Sequence, residues 1–179
     1  MRLFATVRPD AAPDKHARRL LSALVAAALM AGCTSNPPTV ANPAVVETGD
    51  GILVFRLSQN DRHGRVPLQR HLGLIAMYFD GSTSNPDEEI KVIKVSAGIY
   101  AFRALERLTQ HYRLTPSVRF TAESKAVTYV GDFRVDWTAA RVSVAVTDQE
   151  AATVGPARRL YPKMFAGDLP YRKAMASVE

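Results

Sequence analysis

The sequence predicts a mainly β fold: an antiparallel β-sandwich with a short C-terminal helix, preceded by a signal peptide and a flexible tether. Three observations carry this expectation. Val127, Tyr129, Phe133, Val135 and Trp137 alternate with Thr128, Asp132, Arg134 and Asp136, the two-residue period of a strand with one buried face. Val142, Val144 and Val146 repeat the pattern against Arg141, Ser143 and Thr147. Upstream, short apolar runs are separated by turn-forming residues, the spacing of sandwich strands.

Taken in order, Met1 to Arg19 is polar and basic, ending in Arg18-Arg19, and Leu20 to Ala31 is apolar and rich in Leu and Ala. A charged stretch, a short apolar stretch and small residues before a cut form the secretory signal pattern. The apolar stretch is too short to span a bilayer, which takes about 20 residues. The basic stretch is long for such a signal, which leaves the true start codon open. Arg18-Arg19-Leu20-Leu21 faintly resembles a twin-arginine export signal without the rest of that motif, so ordinary Sec export is the reading.

Leu29, Met30, Ala31 and Gly32 before Cys33, the only cysteine, resemble a bacterial lipobox. The resemblance implies cleavage before Cys33, a thioether from its sulfur to diacylglycerol and acylation of the new amino terminus. Each buried CH₂ contributes about 0.8 kcal/mol and one chain holds only marginally, so three chains make a lasting anchor. Thr34 stands where an Asp would favour retention at the inner membrane, so the resemblance implies the outer membrane, facing the periplasm. Residues 1–32 are thus the signal peptide and 33–50 the lipidated cysteine and its tether. Pro37, Pro38 and Pro43 among small polar residues make that tether semi-extended. Residues 51–179 form the domain.

Within the domain, Ile52-Leu53-Val54-Phe55 is a continuous apolar run suited to a buried central strand. Asn60 to Arg65 reads as a polar loop, Leu72 to Phe79 as a second strand and Ile90 to Val95 as a third. Ser96-Ala97-Gly98 turns the chain into Ile99 to Phe102. Leu105 to Tyr112 fits either a long hairpin loop or a helical turn. Pro116 makes the stretch from Leu114 to Phe120 an edge strand or two pieces. Gly131 marks a bulge or a close backbone approach. Thr147 with Glu150 three residues on reads as a capping box for a short helix that Gly155-Pro156 interrupts. The tail from Met164 to Glu179 is mixed, with Pro170 as a break.

The lipobox, the proline-bearing tether, the turn Ser96-Ala97-Gly98-Ile99-Tyr100 and the strand Thr128-Tyr129-Val130-Gly131-Asp132 together resemble uncharacterised small lipoproteins of Gram-negative bacteria. The resemblance implies a prealbumin-like or carboxypeptidase-regulatory-like sandwich over about Gly51 to Thr147 and brings no activity with it.

The formal charge of +6 divides evenly: five Lys/Arg against two Asp/Glu before Cys33, and eighteen against fifteen from Cys33 onward. A surface of +3 with both signs mixed is not a nucleic-acid footprint, and no nucleic-acid partner is expected. With no cysteine beyond Cys33 the domain has no internal disulfide and relies on its core.

Candidate chemistry is sparse. His63 and His71 lie eight apart with no cysteine nearby, unlike the close pairs of zinc sites, so no metal and no cofactor is expected. Asp87-Glu88-Glu89 lacks the alternating ligands of a calcium loop and reads as a solvated turn. Asp80 and Asp132 are a formal carboxylate pair that nothing in sequence brings together. No nucleophile elbow or phosphate-binding glycine loop occurs, Ser82, Ser84 and Ser96 sit in turns, and no catalytic residue is assigned. The stripe Tyr129, Phe133, Trp137 is core by preference over a ligand platform, with Trp137 at the strand end the most exposed of the three. Arg56, Arg62, Arg65 and Arg70 fall near one apparent loop, where ordinary solubility is preferred over contact with anionic lipid head groups or a partner's acidic patch.

The expectation is therefore a non-catalytic, lipid-anchored interaction or envelope-organising module. Its membrane contact is the lipidated Cys33. The loops around Asn60–Arg70 and Ser82–Glu89, with Arg62, Arg65 and Trp137, are the places for an envelope protein partner. The alternative is a binding module for a small glycan or lipid in a pocket reached by Trp137, and an envelope enzyme comes last.

Overall fold

The computed structural model describes residues 46, 48–70, 75–80, 85–138, 141–165 and 168–179. The expected signal peptide, the expected lipobox Leu29 to Gly32, Cys33 and most of the expected tether lie outside them, as do His71, Ser82 and Ser84.

Two sheets pack face to face, and most strand pairings are antiparallel. The first sheet has the order β4 (Ile90–Ser96), β1 (Asp50–Gln59), β7 (Val127–Trp137), β8 (Val142–Thr147). The second runs β10 (Ser177–Val178), β6 (Gln110–Ala122), β5 (Gly98–Arg107), β2 (Gly64–Arg70), β3 (Ile75–Asp80). Ser96-Ala97-Gly98 carries the chain from one sheet to the other. The apolar run of β1 is central and buried on both faces, as its composition requires. Leu53 and Phe55 face the inter-sheet core, while Ile52 and Val54 face a second apolar layer. The helices α1 (Glu150–Leu160) and α2 (Pro162–Phe165) cover that second layer, supplying Val154, Ala157 and Met164.

One pairing departs from the antiparallel expectation. β1 and β7 run parallel, Ile52 opposite Val127 and Gln59 opposite Val135. The short β9 (Tyr171–Lys173) also joins β7 in parallel. Parallel neighbours need a long crossover, and here β2 to β6 supply it, four of them in the second sheet and β4 in the first.

The single buried face read along β7 is divided in two. Between Val54 and Arg56 of β1 the register jumps from Tyr129 to Asp132, so Val130 and Gly131 together oppose Phe55. The extra residue reverses the side-chain parity. Val127 and Tyr129 point to the helices, while Phe133, Val135 and Trp137 point between the sheets. Gly131 takes φ of +113°, and a Cβ there would stand 2.9 Å from Met175 Cε. On the supposedly polar face, Thr128 and Asp132 are buried and only Arg134 is fully exposed.

Other elements resolve the open readings. Leu105 to Tyr112 is a tight hairpin, Arg107 opposite Gln110, with Leu108 in the left-handed region at φ of 54°. β6 runs unbroken through Pro116, and its pairing with β5 shifts register between Phe102 and Ala104. Residues 64–70, expected in or beside an exposed loop, form β2, with Val66 and Leu68 in the core. Pro67 hid this strand. Proline lacks the ladder donor, and the β2–β5 register breaks between Arg65 and Gln69, around it.

Two corrections concern α1. Thr147 does not cap it, because that residue still belongs to β8, paired with Asp132; the N-cap is Gln149, with no side-chain cap. Nor does Pro156 interrupt the helix, which continues to Leu160. A proline leaves the carbonyl four residues earlier without its helical donor. That carbonyl is Ala152 O, and Arg56 Nη2 donates to it at 2.8 Å. A side chain from β1 thus supplies the hydrogen bond that the proline removes.

The mixed tail becomes a strap. Ala174 and Ala176 donate to Tyr129 O and Val130 O on the first sheet. β10 then pairs with Arg119 and Val118 on the second, tying the two together.

Candidate functional site

The strand directions sort the connections between two ends. The distal end collects Asn60–His63, the turn at Asn85–Glu89, the hairpin tip Leu108–Thr109, and Thr138 with Arg141. The basal end collects Ser96–Gly98, Glu123–Ala126 and the chain entering β1. β1 alone separates them by about 30 Å, ten residues at roughly 3.3 Å each.

The distal end is built around Trp137. Asn60 Oδ1 accepts from the Trp137 amide at 2.7 Å, and Asn60 Nδ2 donates to Trp137 O at 3.1 Å. Trp137 Nε1 donates to Gln59 Oε1 at 3.2 Å, and Tyr112 lies edge-on at 5.5 Å. Gly64 closes over this pair: a Cβ there would stand 2.6 Å from both Gln59 Oε1 and Trp137 Nε1. Trp137 is therefore only 6% exposed. Its strand-end position does not free the indole, because the loop after β1 folds over it. The stripe Tyr129, Phe133, Trp137 is core.

Arg62 and Arg65 do lie at this end. Arg62 Nε donates to His63 Nε2 at 3.0 Å in an exposed loop. Asp61 holds that loop, accepting from the His63 amide at 2.8 Å and pairing with Arg107 at 2.7 Å. Arg65 pairs with Asp80 at 2.9 Å, its guanidinium 4.3 Å from the Tyr78 ring centre. The four-arginine cluster does not form. Arg70 is at the far end of β2, donating to Ala97 O, and Arg56 reaches α1. Asp80 and Asp132 stand on different sheets. Asp87-Glu88-Glu89 forms a turn in which Asn85 Oδ1 accepts from the Asp87 amide, with Asp87 and Glu88 exposed. His111 lies 3.4 Å from Glu106. Leu108, at the hairpin tip, is 76% exposed.

A second polar group lies beneath α1 and carries no signal in sequence. Asp132 is 6% exposed, and its Oδ1 accepts from Thr153 Oγ1 at 2.7 Å. Asp132 Oδ2 and Arg56 Nε are both buried without a hydrogen bond. Burial pushes the Asp132 carboxyl above the usual range, partly offset by the Thr153 hydroxyl and the Arg56 charge. Tyr129 Oη accepts from the Gln149 amide at 3.0 Å, satisfying one of the free donors at the helix start. At the surface beside it, Lys173 bridges Asp148 and Glu150 at 2.6 and 3.0 Å, and Tyr171 donates to Glu150 at 2.6 Å. These contacts dock α1 and β9 onto β7.

The raised Asp132 carboxyl has a pH consequence. The folded state holds its proton more tightly than the unfolded chain, so stability falls as pH rises from the ordinary aspartate value through the folded one. Asp132→Asn keeps an acceptor for Thr153 and removes the charge. Urea midpoints between about pH 4 and pH 7 should fall less steeply for the variant than for the wild type. Parallel profiles would show that Asp132 ionises at no cost in the fold.

Among the described residues no group of three His, Cys, Asp or Glu could hold a metal ion, and no helix is long and apolar enough to cross a membrane. No protein-family model, curated protein or solved structure matches the chain.

Proposed function

We propose that the protein is a lipid-anchored envelope module, held by Cys33 in the outer membrane and facing the periplasm, that engages a protein partner without catalysis. The observation that supports this reading is polarity along the sandwich. The chain that would lead from Cys33 enters at the basal end, and the exposed loops collect at the distal end, about 30 Å further out. There, Leu108 offers an exposed apolar side chain on a strained hairpin tip, at the same end as the exposed Arg62 and His63. Left-handed backbone in a branched residue is unfavourable, and such strain concentrates where side-chain placement serves contact. The small-ligand alternative depended on an accessible Trp137, whose burial removes that support.

The test is made in intact envelopes. Cys33→Ser should abolish acyl labelling and leave an unprocessed precursor. In the wild-type background, a photocrosslinker at Leu108 should form one reproducible protein adduct, and one at Lys125 on the basal end should not. Unchanged processing and membrane retention of Cys33→Ser would overturn the anchor, and equal crosslinking at both positions would overturn the distal surface.

A further inference from the structure

The basal side of the helix layer carries a surface that the docking of α1 does not use. α1 starts level with Arg56 and Asp132, and the chain then descends through α2 to Pro170, whose carbonyl accepts from the Val127 amide at 3.0 Å. The last turn of α1 and the start of α2 therefore lie toward the basal end. Arg159, Leu160 and Lys163 are all exposed there, Leu160 at 43%. Neither Arg159 nor Lys163 has an ion-pair partner among the described residues. Arg158 beside them lies over the rings of Phe165 and Tyr171 at 5.3 and 5.8 Å, which fixes that corner of the surface. Asp168, also exposed, is the nearby acid in the same connection.

The chain that leads in from the tether packs at the same corner. Val46 packs against the same apolar layer as Tyr161, Phe165, Leu169 and Tyr171. The stretch from Cys33 to Val46, rich in proline, spans roughly 40 Å when extended and much less when coiled. An anchor at Cys33 would thus keep this corner within reach of the bilayer surface. An exposed leucine between two cations is the arrangement that rests on anionic headgroups, the cations attracted by surface charge and the apolar side chain entering the interface.

We propose that Arg159, Leu160 and Lys163 form a membrane-contact surface that seats the basal end of the sandwich on anionic lipid. The proposal rests on the anchored-module reading above. Docking through this corner orients the domain with its distal loops outward, which the anchor at Cys33 alone does not do.

The test uses the full lipidated protein reconstituted into phosphatidylcholine vesicles with or without phosphatidylglycerol. Once Cys33 is in its thioether, Pro162→Cys provides a single free thiol for a fluorophore, read by quenching from nitroxide-bearing lipid. Quenching should rise with phosphatidylglycerol and fall back in high salt. Arg159→Gln with Lys163→Gln should lower the docked-to-undocked ratio roughly 30-fold, two charges near an anionic surface at about 1 kcal/mol each. A circular dichroism spectrum identical to wild type would show that the pair of changes leaves the fold intact. Quenching that is indifferent to phosphatidylglycerol, or unaltered by the double substitution, overturns the proposal and identifies the corner as a protein-facing or purely solvated surface. Mass measurement of the purified protein reads the anchor separately: absence of acyl chains on Cys33 overturns the anchored-module reading and the docking with it.

Discussion

Phe55→Ala is expected to cost about 3–5 kcal/mol, the range for deleting a large aromatic side chain from a packed core. Phe55 is fully buried in the central strand, and its ring lies 5.3 Å from Phe79, 6.3 Å from Phe102, 6.5 Å from Phe120 and 5.6 Å from Phe133. These four rings come from β3, β5, β6 and β7, so one side chain from the first sheet touches three strands of the second and its own neighbour. Mostly edge-on geometry adds about 0.5–1.5 kcal/mol per good pair beyond the area buried. No neighbour can refill the cavity without leaving its own contacts. Denaturant unfolding should show a large drop in midpoint, whereas Leu108→Ala at the exposed hairpin tip should stay within about 0.5 kcal/mol of wild type. A loss below about 1 kcal/mol for Phe55→Ala would mean that the five rings do not pack as a unit.

Arg56→Ala should cost about 2–3 kcal/mol, a larger effect than its partly exposed position suggests. The guanidinium serves two partners. It donates to Ala152 O, the carbonyl released by Pro156, and it sets a positive charge beside the buried Asp132. Removal leaves a carbonyl without its donor in the first turn of α1 and a buried carboxyl without the Arg56 charge beside it. The cause can be separated by a double-mutant cycle with Pro156→Ala, which restores an amide able to reach Ala152 O. Pro156→Ala should stabilise the Arg56→Ala background by at least about 0.5 kcal/mol more than it stabilises wild type, the limit of additivity for unconnected sites. Additive effects would mean that the contact to Ala152 is incidental.

The strands were legible wherever one rule governed the residues. The apolar run Ile52 to Phe55 announced a central strand, and the alternation after Gly131 announced the core half of β7. The glycine itself was readable as a bulge. Its effect on the preceding residues was not, because a parity reversal depends on where the neighbouring strand places its register, and that neighbour is some seventy positions away in sequence. Pro67 concealed β2 for the opposite reason: a local prohibition was correct for one ladder and irrelevant to the other, since Pro67 pairs with Tyr78 on β3. Pro156 misled in the same way, as the remedy for its missing amide comes from β1.

The candidate sites divide similarly. Arg62 and Arg65 were grouped by counting charges in an apparent loop, and the fold places both at the distal end, with Arg65 on β2. Trp137 was found by its position, but its burial depends on Asn60 and Gly64 folding back over it. The Arg56–Asp132–Thr153 group was invisible, because its members belong to three elements and each fits an ordinary local pattern. Strands β9 and β10, three and two residues long, are too short for any periodicity to register.

The central place of β1 also sets how the domain meets mechanical load. The chain enters β1 at its basal end, and under the proposed anchoring a partner held at the distal end would pull the other way along the same direction. Interstrand hydrogen bonds lie across the strands, so such a pull shears them. β1 is paired with β4 from Asp50 to Arg56 and with β7 from Ile52 to Gln59. Both ladders would have to slip together, whereas a tether that peeled an edge strand would break its bonds in succession. A domain anchored and partnered as proposed above would be loaded along a strand held by two ladders.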